Sequence, residues 1–195
     1  ASGSLFADPP WRYGVLYAGI GIEVLTPLFS RNVLKTISVN SHHMPERFGL
    51  LTIILLGESV VAIASRLGEQ TWSVLTPFSA INGFVVVCAA WWFYFDTHDE
   101  QVIGQELGTG QKVLYGHLGI YIGLSIVSAS IGFAISGELG AIDHALMTGI
   151  GITVFIGSMF LMHGSAAFQS NTQRISMAVL FAASGLLLVS GHFST

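Results

Sequence analysis

The protein has 195 residues, of which seven are Lys or Arg, eleven are Asp or Glu, and 52% are hydrophobic. Charged side chains make up only 9% of the chain, against about 25% in an ordinary soluble domain, which is too few to cover a water-facing surface. This composition argues against a soluble globule, a disordered chain and, with one cysteine, a disulfide-rich fold. It favours a helical membrane domain.

Six segments of the chain are long and apolar enough to cross a membrane. A hydrocarbon core of roughly 30 Å takes about 20 residues of helix. The candidate segments lie at about residues 13–30, 48–65, 77–95, 113–137, 145–162 and 175–191. We therefore predict an all-α fold, a polytopic transmembrane helical bundle of about six spans. Because the connections are short and no internal repeat is present, residues 1–195 are predicted to form a single membrane domain.

The basic residues predict how these spans are oriented. The connections at one face, called side B, contain five basic residues, and those at the other face, side A, contain two. The side B residues are Arg31, Lys35, Arg47, Lys112 and Arg174, and the side A residues are Arg12 and Arg66. By the positive-inside rule, side B is cytoplasmic and both ends of the chain lie outside. An external N-terminus further suggests an odd number of preceding spans, and hence a longer chain.

The first span carries one carboxylate. Glu23 lies ten residues after Tyr13, about 15 Å along a helix that enters from side A, which places it near the middle of the bilayer. Pro27 cannot donate a hydrogen bond to the Glu23 carbonyl, so a kink is predicted there. An interrupted helix beside an intramembrane acid is typical of proton and cation paths.

The second span carries another carboxylate and begins with a charged segment. His43, Glu46 and Arg47 lie at its side B end, and Glu58 follows Arg47 by eleven residues, close to three helical turns. Arg47 and Glu58 are thus predicted on one helix face, with Glu58 near the bilayer midplane. An ionised carboxylate there costs about 2.5–3.5 kcal/mol on insertion scales. Such a residue is by default a candidate functional site.

Two interpretations of the glutamates remain open. Glu23 and Glu58 share a depth, and if they face one another, desolvation and like charge favour protonation of at least one. They would then bind a proton or a cation, with Glu46 and Arg47 as a charged gate at the cytoplasmic end. Alternatively, each glutamate is neutral or hydrogen-bonded within the bundle and only fixes the register of its helix.

Small residues recur at three- and four-residue spacing in the fourth and fifth spans. The first stripe is Gly116, Gly119, Gly123, Ser130 and Ala134, and the second is Gly149, Thr153 and Gly157. Such stripes allow helices to approach closely in lipid. We expect internal packing of the bundle, with a homodimer seam as the alternative.

Histidines concentrate at side B together with carboxylates. The side B set is His42, His43, His98, His117 and His163, with Glu46, Asp96 and Asp99. Imidazole and carboxylate suit a divalent metal, and two histidines suit a haem iron. The spacing matches no metal-binding signature, however, and interfacial histidines are ordinary anchors. No metal and no cofactor are therefore predicted.

Motifs of enzymes and of nucleic-acid-binding proteins are not found in the sequence. Cys88 stands alone in an apolar span, which indicates a buried structural thiol. Hydrolase, zinc-protease and phosphate-binding motifs are missing, as is any basic run. The protein is thus predicted to be neither an enzyme nor a nucleic-acid-binding protein.

Three motifs resemble a known family. They are HMPERFGL continuing to IILLGES at residues 43–50 and 53–59, WWFYFD at residues 91–96, and YGHL at residues 115–118. In this order they resemble the bacterial low temperature requirement A (LtrA) family. The motif positions that carry polar side chains are His43, Glu46, Arg47, Glu58, Asp96 and His117. The resemblance implies a multi-pass bacterial membrane protein whose C-terminal half corresponds to this chain, and it implies no substrate or reaction.

The leading functional hypothesis is a proton- or ion-coupled transporter or channel of the bacterial inner membrane, with Glu58 as the protonatable midplane group. The expected partners are the lipid bilayer, a proton or small solute, and a second copy or a larger membrane complex. The alternative is a non-catalytic membrane subunit that packs against a partner complex. A polar cavity reaching Glu58 would favour transport, whereas a dry, tightly packed Glu58 would favour a structural role.

Overall fold

The computed structural model of the protein describes residues 11–29, 43–69, 75–97, 110–164 and 169–193. Within these ranges the regular structure is entirely helical. The helices are α1 (Trp11–Phe29), α2 (His43–Glu69), α3 (Leu75–Thr97), α4 (Gly110–Ser136), α5 (Ala141–His163) and α6 (Asn171–Phe193). Each coincides with one of the six predicted spans, so the all-helical fold is confirmed.

Five of the described helices are long and apolar enough to cross a membrane. The spans are Glu46–Glu69, Thr76–Thr97, Lys112–Ser136, Ala141–His163 and Asn171–Val189, which belong to α2 to α6. This architecture is a helical transmembrane bundle. The remaining helix, α1, has 19 residues and continues past Pro27 to Phe29. That α1 also crosses the membrane stays a prediction.

The helices divide between two compact units. One contains α1, and the other contains α2, α3, α4 from Lys112 onwards, α5 and α6. The second is called the five-helix unit below. Within it, contacts join α3 to α6, α2 to α3 and α5 to α6. The prediction of a single membrane domain concerns both units together and stays a prediction.

Helix α5 shows why the helices are longer than the apolar segments. It begins four residues before the predicted span, with Asp143 in its first turn, and it ends with His163 in its last turn. An acid near the N-terminus interacts favourably with the helix dipole, as a histidine near the C-terminus does when it is protonated. The Gly164 N–H then bonds to the Phe160 carbonyl, with a left-handed φ of 63° that suits glycine.

The connection between α4 and α5 is short. Gly137 ends α4 with a φ of 67°, and its N–H donates to the Phe133 carbonyl at 2.9 Å. In this connection, Glu138 forms an ion pair with Arg66 of α2 at 3.4 Å. The C-terminal ends of α2 and α4 therefore lie at the same side of the bundle, as the predicted alternation of the spans requires.

The first stripe of small residues packs α4 against α5. A Cβ atom added at Gly116 would lie 3.1 Å from the Met162 sulfur, and one added at Gly123 would lie 2.6 Å from the Phe155 backbone nitrogen. A Cβ at Gly119 would overlap the Ser158 hydroxyl. The internal packing predicted for this stripe is confirmed.

The second stripe of small residues faces away from the rest of the five-helix unit. Nothing lies within 4 Å of a Cβ added at Gly149 or Gly157, and Thr153 is exposed. The prediction of internal packing is wrong here. The physical reason is the rotation of α5, which turns its opposite face, with Gly151 and Phe155, towards α4.

Candidate functional site

Glu58 lies at the middle of the α2 span. It is twelve residues after the first residue of the span, Glu46, and eleven before the last, Glu69, which is about 17 Å of helix from either end. Its side chain is exposed. No hydrogen bond or ion pair joins its carboxylate to another described residue of the five-helix unit. That this helix midpoint coincides with the bilayer midplane stays a prediction.

Glu58 lies on one line of residues within the broad exposed face of α2, and we call this line the α2 stripe. Its members are Arg47, Leu51, Ile54, Glu58, Val61 and Ser65, all exposed. At about 100° per residue, these six side chains lie within roughly 40° of one line along the helix. The buried residues Thr52, Leu56, Ser59 and Ile63 occupy the opposite face.

Glu58 lies on the outer surface of the five-helix unit. Arg47 and Glu58 share a face, as predicted. Glu58 lies neither in a polar cavity of the five-helix unit nor in its packed core, because its face points outward. Among the described residues of the five-helix unit, none covers Glu58.

The other predicted site residues of the first two helices are described only in part. Glu46 and Arg47 are exposed at the start of the α2 span, and their role as a gate stays a prediction. His43 begins α2, and its side chain lies outside the described residues. Glu23 is exposed on α1, which belongs to the other compact unit, so its pairing with Glu58 also stays a prediction.

The three sequence motifs contribute to one buried cluster. Phe48 comes from the first motif, Tyr94 from the second and His117 from the third. The Phe48 ring stacks on the His117 imidazole, with ring centroids 4.1 Å apart and an angle of 13° between the planes. Tyr94 and His117 are both 0% exposed, and the Tyr94 hydroxyl lies 3.1 Å from His117 Nε2. Residues far apart in sequence thus meet where α2, α3 and α4 pack together.

Hydrogen-bond geometry fixes the direction of the bonds at His117. Its Nδ1 atom lies 2.8 Å from the Val113 carbonyl oxygen, which can only accept, so Nδ1 carries the hydrogen. In a neutral imidazole Nε2 then accepts, and the Tyr94 hydroxyl donates to it. His117 is therefore engaged by protein groups at both ring nitrogens.

Two further hydroxyls complete this cluster by donating to the same backbone oxygen. Thr52 Oγ1 donates to the Phe48 carbonyl at 2.9 Å, and the Tyr121 hydroxyl donates to it at 3.0 Å. Thr52 is itself 0% exposed. Together Phe48, Thr52, Tyr94, His117 and Tyr121 form what we call the His117 cluster. It holds the first turns of the α2 span against α3 and α4.

Asp96, a polar residue of the second motif, contacts the beginning of α6. It lies at the end of α3, and its Oδ2 accepts hydrogen bonds from Thr172 Oγ1 at 2.7 Å and Ser170 Oγ at 3.3 Å. Ser170 and Gln173 form a reciprocal capping box at the start of α6, with bonds of 3.1 Å and 3.0 Å. Asp96 therefore anchors the N-terminus of α6, where a negative charge is favourable.

A second buried polar group was missed by the sequence analysis. His144 of α5 is 2% exposed, and its Nε2 donates to the Ser130 carbonyl of α4 at 3.2 Å. Thr148 Oγ1 lies 2.9 Å from the His144 carbonyl and is also hydrogen-bonded to the Ser130 hydroxyl. The available signal was the four-residue spacing of His144 and Thr148 in an apolar helix, since polar residues at that spacing share a face.

The histidines at side B do not assemble into a metal site within the described part of the chain. No group of three or more His, Cys, Asp or Glu residues is close enough there to hold a metal ion. The side chains of His42, His98 and Asp99 lie outside the described residues.

The prediction of a buried thiol at Cys88 is wrong, because the Cys88 side chain is exposed on α3.

Comparisons with known proteins identify the family. The family model described as bacterial low temperature requirement A protein (LtrA) matches residues 2–194. The uncharacterized protein RA0937 of Rhizobium meliloti (strain 1021) is 27% identical over 199 residues, which cover 92% of this chain and 46% of the relative. The chain thus spans about half the length of that relative. No solved structure matches this chain significantly. Because the family model covers nearly the whole chain and the helices are long and apolar, this integral membrane protein belongs to the bacterial low temperature requirement A family.

Proposed function

We infer that this protein is a proton- or ion-coupled transporter or channel of the bacterial inner membrane. The observation that supports this function is Glu58, a carboxylate at the middle of a membrane-spanning helix with no partner among the described residues of its unit. An ionised carboxylate at that depth costs about 2.5–3.5 kcal/mol. The side chain is therefore stabilised by taking up a proton, by binding a cation, or by a donor from outside the unit.

The α2 stripe would form one wall of the path. Glu58 would be protonated and deprotonated in turn, and each change would be coupled to movement of a proton or a small solute. Arg47 lies at the side B end of the same face, where it would act as a gate at the cytoplasmic surface. The positive-inside rule assigns side B to the cytoplasm, and both chain ends to the outside.

The His117 cluster would keep this wall in place. It joins the beginning of the α2 span to α3 and α4 through buried hydrogen bonds and a stacked ring pair. Buried polar networks that are hydrogen-bonded throughout tend to rigidify a bundle. The cluster is thus a positioning element for the α2 stripe rather than part of the path itself.

Proton flux in vesicles tests this function. The purified protein would be reconstituted with a pH-sensitive dye inside the vesicles, and flux would be measured after a pH step. We expect flux in the wild-type protein and its loss in Glu58→Gln, which keeps the shape of the side chain but cannot ionise. Asp143→Asn, a matched change at an exposed first-turn residue of α5, should retain flux. Flux in Glu58→Gln equal to the wild type would refute the role of Glu58.

The alternative function is a non-catalytic membrane subunit. It is favoured by the outward position of Gly149 and Thr153 on α5, because small residues on an open face allow another helix to pack closely. Stoichiometric co-purification of a defined partner from native membranes, together with no flux in vesicles, would support this alternative over transport. Neither function involves an enzymatic reaction.

A further inference from the structure

We propose that the buried His144 of α5 binds one internal water molecule through its Nδ1 atom, near the side A end of the five-helix unit. The water would donate a hydrogen bond to Nδ1 and accept one from a backbone N–H in the first turn of α5. This site is separate from Glu58 and from the His117 cluster, and it does not depend on transport.

The first argument is the direction of the hydrogen bonds at His144. The residue is 2% exposed, and its Nε2 atom lies 3.2 Å from the Ser130 carbonyl oxygen. A carbonyl oxygen only accepts, so in a neutral imidazole Nε2 carries the hydrogen and Nδ1 carries the lone pair. Nδ1 is buried, and no described residue donates to it. Because buried polar atoms are almost always hydrogen-bonded, to protein or to ordered water, Nδ1 requires a donor.

The second argument is that the missing donor is neutral. A second proton on the ring would also occupy Nδ1, but it would create a buried cation, which is costly without a paired carboxylate. Asp143 is adjacent in sequence, yet its side chain is exposed and no ion pair joins it to His144. The N-terminal end of a helix also carries a partial positive charge, which disfavours an imidazolium there. A neutral imidazole with water at Nδ1 avoids both costs.

The third argument is that water has access to this place and a second partner in it. His144 is the fourth residue of α5, about 4.5 Å along the axis from the helix start. Gly140 provides no side-chain cap, so N–H groups of the first turn remain available. Apart from its chain neighbours, a Cβ added at Gly140 would meet only Asp143 Oδ2 within 4 Å, at 3.9 Å. The helix start is therefore open, and an N–H together with Nδ1 gives the two polar partners that an internal water needs as a minimum.

His117 is the natural internal control, because it is buried as well but has the opposite tautomer. Its Nδ1 donates to the Val113 carbonyl, and its Nε2 accepts from the Tyr94 hydroxyl. Both histidines thus have one buried acceptor nitrogen. The donor is a protein hydroxyl at His117, whereas we expect water at His144.

Solid-state NMR tests the site on the full chain in vesicles of phosphatidylethanolamine and phosphatidylglycerol. The histidines would carry ¹⁵N and the aspartates ¹³C, which selects His144 because Asp143–His144 is the single Asp–His pair of the sequence. The His117 signals would be identified by their change in Tyr94→Phe. We expect His144 to be protonated at Nε2 only, and magnetisation from water to reach its Nδ1 several-fold faster than it reaches His117 Nε2.

Three results would overturn the proposal. They are transfer from water to His144 Nδ1 that is as slow as transfer to His117 Nε2, a His144 ring protonated at both nitrogens, and a protein group that donates to Nδ1. A crystal structure that shows ordered solvent gives an independent test. We expect a water oxygen about 2.7–3.2 Å from Nδ1, and an apolar contact there would contradict the site. Glu58→Gln should leave the His144 signals unchanged, so failure of the proposed transport function would not affect this result.

Discussion

Gly123 provides the sharpest test of how α4 and α5 pack. A Cβ atom added at this position would lie 2.6 Å from the Phe155 backbone nitrogen, 2.8 Å from the Phe155 Cα atom and 2.9 Å from the Gly151 carbonyl oxygen. Ordinary carbon contacts are about 3.5–4.0 Å. Because all three neighbours are backbone atoms, no side-chain rotation relieves the overlap, and the two helices must separate by roughly 1 Å.

We therefore expect Gly123→Ala to lower the free energy of unfolding by about 1–3 kcal/mol, the usual cost of overpacking. This loss opposes a gain of up to about 1 kcal/mol that alanine provides over glycine inside a helix. For a chain of this size, 1 kcal/mol corresponds to about 2–4 °C in Tm. After this gain is subtracted, the net loss is up to about 3 kcal/mol, and the expected Tm of Gly123→Ala is up to about 12 °C below that of the wild-type protein.

The matched control is Gly149→Ala on α5. No atom lies within 4 Å of a Cβ added there, so only the helix propensity changes, and the Tm should stay the same or rise slightly. Both variants would be unfolded by heat in the same detergent and followed by circular dichroism. Equal Tm values for Gly123→Ala and Gly149→Ala would refute the close approach of α4 and α5.

Two further predictions concern the polar contacts. Tyr94→Phe removes the hydroxyl that donates to His117 Nε2 and should lower the free energy of unfolding by about 0.6–1.7 kcal/mol. A double-mutant cycle with His117→Leu should give a coupling energy of similar size. Strict additivity of the two changes would contradict this hydrogen bond. Asp96→Asn weakens the anchor at the α6 N-terminus and should cost about 0.5–2 kcal/mol, with faster hydrogen exchange in the first turn of α6. Asp143→Asn, in the first turn of α5, serves as its control, and unchanged exchange in α6 would refute the anchoring role.

The positions of the spans could be predicted because the bilayer requires long apolar segments. The third predicted span, residues 77–95, lies within α3, which runs from Leu75 to Thr97. The extra residues are polar or terminal ones that continue a helix into the interface, where their caps and dipole interactions are favourable. Apolar content marks the part of a helix in hydrocarbon, and it does not mark where the helix ends.

The sequence motifs indicated important residues without showing their contacts. Tyr94 and His117 lie 23 residues apart on different helices, and only the packing of α3 on α4 brings the hydroxyl to the imidazole. The same is true of Asp96 and Thr172, 76 residues apart. Contacts of this kind depend on helix rotation and register, which local periodicity does not specify.

The sequence by itself determined that this protein is a helical membrane protein, because so few charged residues cannot cover a water-facing surface. It also determined that Arg47 and Glu58 share a face of α2, because helical geometry alone relates residues eleven positions apart. Only the tertiary structure decided that this face points outward. Both faces of α2 are apolar, with Ile54 on the exposed side and Leu56 on the buried side. In lipid, apolar residues are equally suitable towards the core and towards the membrane, so hydrophobicity cannot distinguish the two directions.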